Sequence, residues 1–316
     1  MISLEKFIYP TQEILFKQLC SQYKNNTFVM KDKFVLVKGD IPIMLVAHLD
    51  TVHKNPVKFI CKTKNNNILM SPQGIGGDDR CGVYALVNCY EYAVKKPWLL
   101  FTCDEEVGGI GALAFADAYT AKQLPRKLDD LKLIIEIDRR GKNDAVYYDC
   151  DNPKFEDYIT SKSFVTNYGS FSDISIIAPE LGVAAVNLSS GYYNAHTCHE
   201  YINRKQINAT IRKVNGIIQE VAEIEFPKFE YVERKYIHST YSRLLNHASS
   251  LIEDDYRDYL PKDLPREYVE KYDELLEWYT IEELEHYRHV SGNKGIDELY
   301  EIEFGRRIHF TEEELK

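Results

Sequence analysis

Short, wholly apolar runs alternate along the chain with longer stretches of helical periodicity. Ile14, Leu15 and Leu19 predict a helix over residues 12–23. Residues 27–30 and 33–38 read as a hairpin turning at Lys31-Asp32. Residues 42–47 are apolar at every position, the pattern of a strand buried on both faces. A helix at 82–94, a buried strand at 98–102, an Ala-rich helix at 111–121 and a strand at 131–137 follow. A strand at 183–188 and an amphipathic helix at 204–224 complete the alternation. Strands separated by helices predict an α/β fold, a mainly parallel mixed sheet sandwiched by helices. Beyond it, residues 228–251, 266–279 and 281–288 read as an α-helical C-terminal appendage, anchored by Leu275, Leu276, Tyr279 and Leu284. Thr280-Ile281-Glu282-Glu283 has the form of a capping box.

Composition narrows the class. The 316 residues carry 39 Lys+Arg against 49 Asp+Glu, and an acidic chain lacks the clustered cations that phosphate contact needs. No apolar run approaches bilayer length and no basic-then-apolar leader is visible, so neither nucleic acid nor membrane is an expected partner. Seven scattered cysteines without a CxxC pair fit a reducing, cytoplasmic setting. The charge is uneven: residues 226–316 hold 13 basic and 22 acidic side chains, whereas residues 1–225 hold 26 and 27. This shift divides the chain into a catalytic domain at 1–225 and an acidic, Tyr-rich appendage at 226–316.

In mainly parallel sheets, sites gather at the carboxyl ends of the strands. Each buried run here ends in carboxylates or an imidazole: His48 and Asp50, Asp78 and Asp79, Asp104 to Glu106, Asp138, and a loop holding Tyr192, Tyr193, Asn194 and His196. Acids gathered this closely would repel one another, and divalent cations resolve the conflict. Two imidazoles with three carboxylates suit Zn²⁺, with Co²⁺ or Mn²⁺ also fitting. They exceed one tetrahedral catalytic site and suit a pair of metals sharing a carboxylate. The chemistry that follows is amide hydrolysis by an acidified water, with a nearby carboxylate carrying its proton to the leaving nitrogen.

HisLeuAspThr at 48–51, GlyGlyAspAspArgCysGly at 76–82, PheThrCysAspGluGluValGly at 101–108, IleAspArgArgGly at 137–141 and TyrAsnAlaHisThrCysHisGluTyrIle at 193–202 resemble, in order, the metal-site motifs of the di-zinc exopeptidases. The branch containing peptidase T and acetylornithine deacetylase is the most similar. The resemblance spans residues 1–225. It implies His48 and Asp138 as ligands of one zinc, Glu106 and His196 of the other, and Asp78 as the bridge through a cis Asp78–Asp79 peptide. It implies Asp50 as the acid orienting His48, Glu105 as general base, and no ligand role for His199.

The chain also departs from that branch. Asp138 and Ser172 stand too close for the branch's lid domain, so Tyr192 or Tyr193 becomes the candidate oxyanion donor. Arg139 or Arg140 is a candidate anchor for a substrate carboxylate. Asp173 either binds a substrate amine or caps the following helix. Asp79 reads as an acceptor for Arg80 without a catalytic role, and Cys81, Cys103 and Cys198 as small buried hydrophobes.

Three functional readings stand. One is an aminopeptidase on short peptides. A second is an N-acyl amino acid deacylase or carboxypeptidase. A third is a catalytically silent metal-binding scaffold, against which the presence of Glu105 speaks. The appendage either packs on the catalytic part, replaces the lid or makes a homo-oligomer contact. With two cations bound, residues 1–225 would carry about +3 against −9 on the appendage, an attraction that salt would weaken.

Overall fold

The computed structural model describes residues 2–169, 171–223 and 225–234, together with Lys271, Leu275, Leu284, Arg288, Ile296, Asp297 and Tyr300. The chain divides into two units, Met1–Lys235 and Tyr236–Lys316.

The elements of the first unit run in order as α1 (Glu5–Ile8), α2 (Gln12–Gln22), β1 (Thr27–Met30), β2 (Phe34–Val37), β3 (Ile43–His48), β4 (Cys61–Lys62), β5 (Ile68–Met70) and α3 (Gly77–Tyr92). Then come β6 (Trp98–Thr102), α4 (Ile110–Thr120), β7 (Leu133–Arg139), β8 (Asp144–Val146), α5 (Pro153–Ser161), β9 (Val165–Asn167), α6 (Asp173–Leu181), β10 (Ala185–Ser189), β11 (Tyr192–Tyr193), β12 (Tyr201–Asn203) and α7 (Arg204–Glu223). Eight strands form one sheet in the order β1-β2-β6-β3-β7-β10-β8-β9. The central neighbours β6, β3, β7 and β10 are parallel. A second, antiparallel sheet has the order β11-β12-β5-β4.

Alternation along the central strands separates two cores. Ile43, Leu45 and Ala47 of β3 face a cluster containing Val83 and Leu86 of α3 and Val214 and Ile217 of α7. Met44 and Val46 face the other side, with Ala112 and Phe115 of α4 and Ile174 and Ile177 of α6. A strand covered on both faces has no polar position to offer, which is why it reads as an unbroken apolar run.

Two stretches differ from expectation. The helix expected from Lys228 is absent across its first seven residues: Glu230 bridges Val183 and Glu233 bridges Cys150 in extended conformation. Phe226 and Phe229 join the first core against Phe155 and Tyr158, and the Phe229 backbone bonds Lys132 and Ala184. Ring burial and free sheet-edge groups outweigh helical propensity there. The rest of that stretch, residues 235–251, lies outside the described residues. Between β7 and Ser172 the chain forms β8, α5 and β9, and both strands extend the main sheet, so this stretch builds no lid.

In the second unit the seven described residues are helical; Leu275, Leu284 and Ile296 are buried, and Lys271 pairs with Asp297. The capping box at 280–283, Leu276 and Tyr279 lie outside the described residues, as do the proposed lid and oligomer contacts.

Candidate metal centre

The carboxyl ends of β3, β6 and β7 converge. His48 ends β3, Asp138 stands one residue from the end of β7, and Glu105 and Glu106 follow β6. Asp78 lies in the irregular first turn of α3, joined to Asp79 by a cis peptide. His196 comes from the loop between β11 and β12, with φ +63°.

Asp78 sits between two groups of donors. Its Oδ1 is 3.2 Å from His48 Nε2, and its Oδ2 is 3.3 Å from His196 Nε2. His48 Nε2 is also 3.6 Å from Asp138 Oδ1. His196 Nε2 is 3.1 Å from Glu106 Oε2. His48, Asp78 and Asp138 therefore form one triad, and Asp78, Glu106 and His196 another. Within each triad the donor atoms lie within 4.8 Å of one another. Glu105 Oε2 is 3.9 Å from His48 Nε2.

Supporting contacts hold these groups in place. Asp50 accepts at 3.2 Å from His48 Nδ1, and takes the Glu105 and Glu106 N–H groups at 3.0 Å each. It thereby fixes the imidazole and the loop that carries both glutamates. Asn187 Oδ1 accepts the Asp138 N–H at 2.9 Å, and the Tyr192 hydroxyl donates to the Asp138 carbonyl at 2.7 Å. Asp79 accepts the backbone N–H groups of His48 and Gly82.

One contributor escaped the sequence reading. Glu200 is fully buried and accepts the N–H groups of Gly76 at 2.8 Å and Asp78 at 2.9 Å, while His53 Nε2 lies 2.7 Å from it. It stands next to His199 in the last motif, but only long-range folding brings it beneath Asp78. A Cβ on Gly77 would meet Tyr192 Cβ at 2.7 Å and Ile202 Cγ1 at 2.9 Å, so this turn needs glycine.

The remaining candidates are distributed as follows. Tyr193 donates to Gln206 and stacks on Tyr201. Exposed Asn194 donates to the His199 carbonyl. Arg139 donates to the Tyr168 carbonyl, with Asp144 at 4.0 Å, and Arg140 is exposed. Asp173 is fully buried against the Thr102 hydroxyl, while Ser172 and Ser175 cap α6. Cys81 and Cys103 are buried, but Cys198 is exposed because its loop runs along the surface.

The electrostatics of the cluster suit cations. Burial pushes Glu105 up to about 7 and Asp138 well above the usual range, with the Asp78 charge adding to both shifts. Hydrogen bonds from its ring to the Asp78 and Glu106 carboxylates push His196 up to about 10. Burial opposes charge on His48, but Asp138, Asp50 and Asp78 outweigh it and raise its pKa. The imidazoles thus act as the positive charges that the acids demand. Asp138 Oδ1 and Glu106 Oε1 are buried without a hydrogen-bond partner, open acceptors of the kind a cation takes. The donor set therefore fits divalent cations.

No protein-family model matches the chain, and no curated protein matches it. Solved structures do. An aminopeptidase, PepT, from Bacillus cereus ATCC 10987 matches at 15% identity and a TM-score of 0.53, over 70% of this chain and 97% of that one. A tripeptidase from Staphylococcus aureus subsp. aureus mu50 gives the same values. An aminopeptidase from the archaeon Desulfurococcus kamchatkensis matches at 14% identity and a TM-score of 0.52, over 69% and 93%. In fold, this chain resembles these peptidases. At these identities the likeness is one of fold alone. Among the described residues no helix is long and apolar enough to cross a membrane.

Proposed function

We propose that the protein is a co-catalytic di-zinc exopeptidase acting as an aminopeptidase on short peptides. The observation that carries this reading is the position of Asp78, whose two oxygens are divided between the His48 and His196 triads. The fold likeness to two aminopeptidases and a tripeptidase supports it. A pair of divalent ions held by His48, Asp138, Glu106, His196 and the shared Asp78 would supply Lewis-acid charge to a water and to the scissile carbonyl oxygen.

The chain's own groups do the rest. Glu105 accepts the proton of the attacking water and passes it to the leaving nitrogen, a part suited to a carboxyl with a pKa of about 7. Asp50 holds the His48 ring so that Nε2 faces the cluster. To donate to the developing oxyanion, the role proposed for Tyr192, its hydroxyl must leave the Asp138 carbonyl that it meets at 2.7 Å. Tyr193, Asn194 and Arg139 remain proposed substrate contacts; Asp173, fully buried against the Thr102 hydroxyl, is out of a substrate's reach.

The test is metal content and peptide turnover of wild type and Glu105→Gln. The expected result is two metals in each and a fall in turnover of about 10²–10⁴-fold. Unchanged turnover would overturn the mechanism. Cleavage of amino-blocked dipeptides alone would instead identify the deacylase or carboxypeptidase activity.

A further inference from the structure

A cavity of about 560 Å³ adjoins the metal centre, with Asp50 and Glu106 in its wall. Arg80 is also in that wall and is only 4% exposed. Its Nε and Nη1 are buried and have no hydrogen-bond partner. Asp50 and Asp79 act on it only through space, and a guanidinium is charged at neutral pH. A buried cation without a hydrogen-bonded partner is a costly element to keep, and proteins seldom keep one that nothing meets.

The acids nearby are engaged elsewhere. Asp79 accepts backbone N–H groups of His48 and Gly82, so the Asp79–Arg80 pairing expected from sequence is not made through hydrogen bonds. Asp50 is taken by His48 and by the Glu105 and Glu106 amides. Asp104, also in the wall, accepts from the Gln12 amide at 2.7 Å. Arg139, the anchor expected from sequence, already donates to Tyr168, and Arg204 to Glu5. Lys54 in the cavity wall adds a second positive charge.

We infer that Arg80 is a substrate-binding residue that receives a carboxylate of the substrate in this cavity. The inference rests on the peptidase reading and adds a specificity to it: the preferred peptides carry a negative charge there. The guanidinium, a permanent cation, suits charge-assisted capture of a carboxylate. That carboxylate belongs either to the peptide C-terminus or to an acidic side chain.

Two matched pairs of substrates separate these sources: a tripeptide acid against its C-terminal amide, and a Glu-containing tripeptide amide against its Gln counterpart. Wild type is expected to favour the charged member of one pair by about 10–100-fold, mainly through KM, the range of a charge-assisted hydrogen bond. Arg80→Met should reduce that ratio towards one, and Arg80→Lys should restore part of it. No preference in either pair, or an undiminished preference in Arg80→Met, overturns the inference. So does an equal loss on charged and neutral substrates, which marks a purely structural role. If wild type cleaves no peptide at all, the peptidase reading fails, and calorimetric titration with the same four peptides decides the carboxylate site separately. Binding of a charged member that Arg80→Met weakens selectively supports the site, and any other result there overturns it.

Discussion

Removing the Glu200 carboxylate should loosen the metal centre from beneath. This side chain is fully buried, and its two oxygens accept the Gly76 and Asp78 amides, with His53 closing the set. Glu200→Ala leaves two buried N–H donors without acceptors, at about 1–3 kcal/mol each, or roughly 2–6 kcal/mol in all. Glu200→Gln keeps one acceptor oxygen and turns an amide NH₂ towards the other donor, so it should cost about 1–3 kcal/mol. In a unit of this size each kcal/mol lowers Tm by about 2–4 °C, which places Glu200→Ala roughly 4–24 °C below wild type. Scanning calorimetry reads the stability, and isothermal titration with Zn²⁺ reads the second consequence. The Asp78 amide is held at 2.9 Å, so its release should displace the shared carboxylate and weaken both cation sites together. A Tm within about 2 °C of wild type with unchanged metal affinity would refute the reasoning.

Other changes test separate parts of the structure. Asp50→Asn should lower metal affinity about 10–100-fold, measured by competition with a chelator, because His48 loses the acid that orients it. Phe229→Ala should cost about 3–5 kcal/mol by urea denaturation, since its ring packs against Phe155, Tyr158 and Phe226 within the first unit. The metal-free protein should lose stability as pH rises from about 4.5 towards 7. Unfolded Glu105 ionises near 4.5, whereas burial keeps the folded carboxyl protonated up to about 7, so the folded state binds the extra proton in that window. Asp173, raised by burial to about 6, acts in the same direction from its ordinary value of 3.8. Added Zn²⁺ should therefore raise Tm more at pH 8 than at pH 5, and equal shifts at both would count against the cluster as the cation site.

The central strands were legible because burial on both faces removes polar residues from the pattern. β6 runs from Trp98 to Thr102, as its apolar run predicts, and the hairpin of β1 and β2 turns at Lys31-Asp32. The second sheet was not legible. β4, β5, β11 and β12 are two or three residues long and mixed in exposure, too short to establish a period of two. The segment from Lys228 misled as well: it reads as helix, but packing of the Phe229 ring on Phe155 and Tyr158 holds it in extended chain.

The candidate centre divides in the same way. Residue type at the strand ends gave a pool of carboxylates and imidazoles, and the resemblance of the motifs to the di-zinc exopeptidases picked His48, Asp50, Asp78, Glu105, Glu106, Asp138 and His196 out of it. Their mutual distances, the division of Asp78 between two imidazoles, and the roles of Glu200, Asn187 and Arg80 came only from tertiary structure. A ligand is defined by its own chemistry and can be read locally. A supporting acceptor or an unpartnered cation is defined by what lies opposite it, and that is decided by chain segments up to 147 residues away.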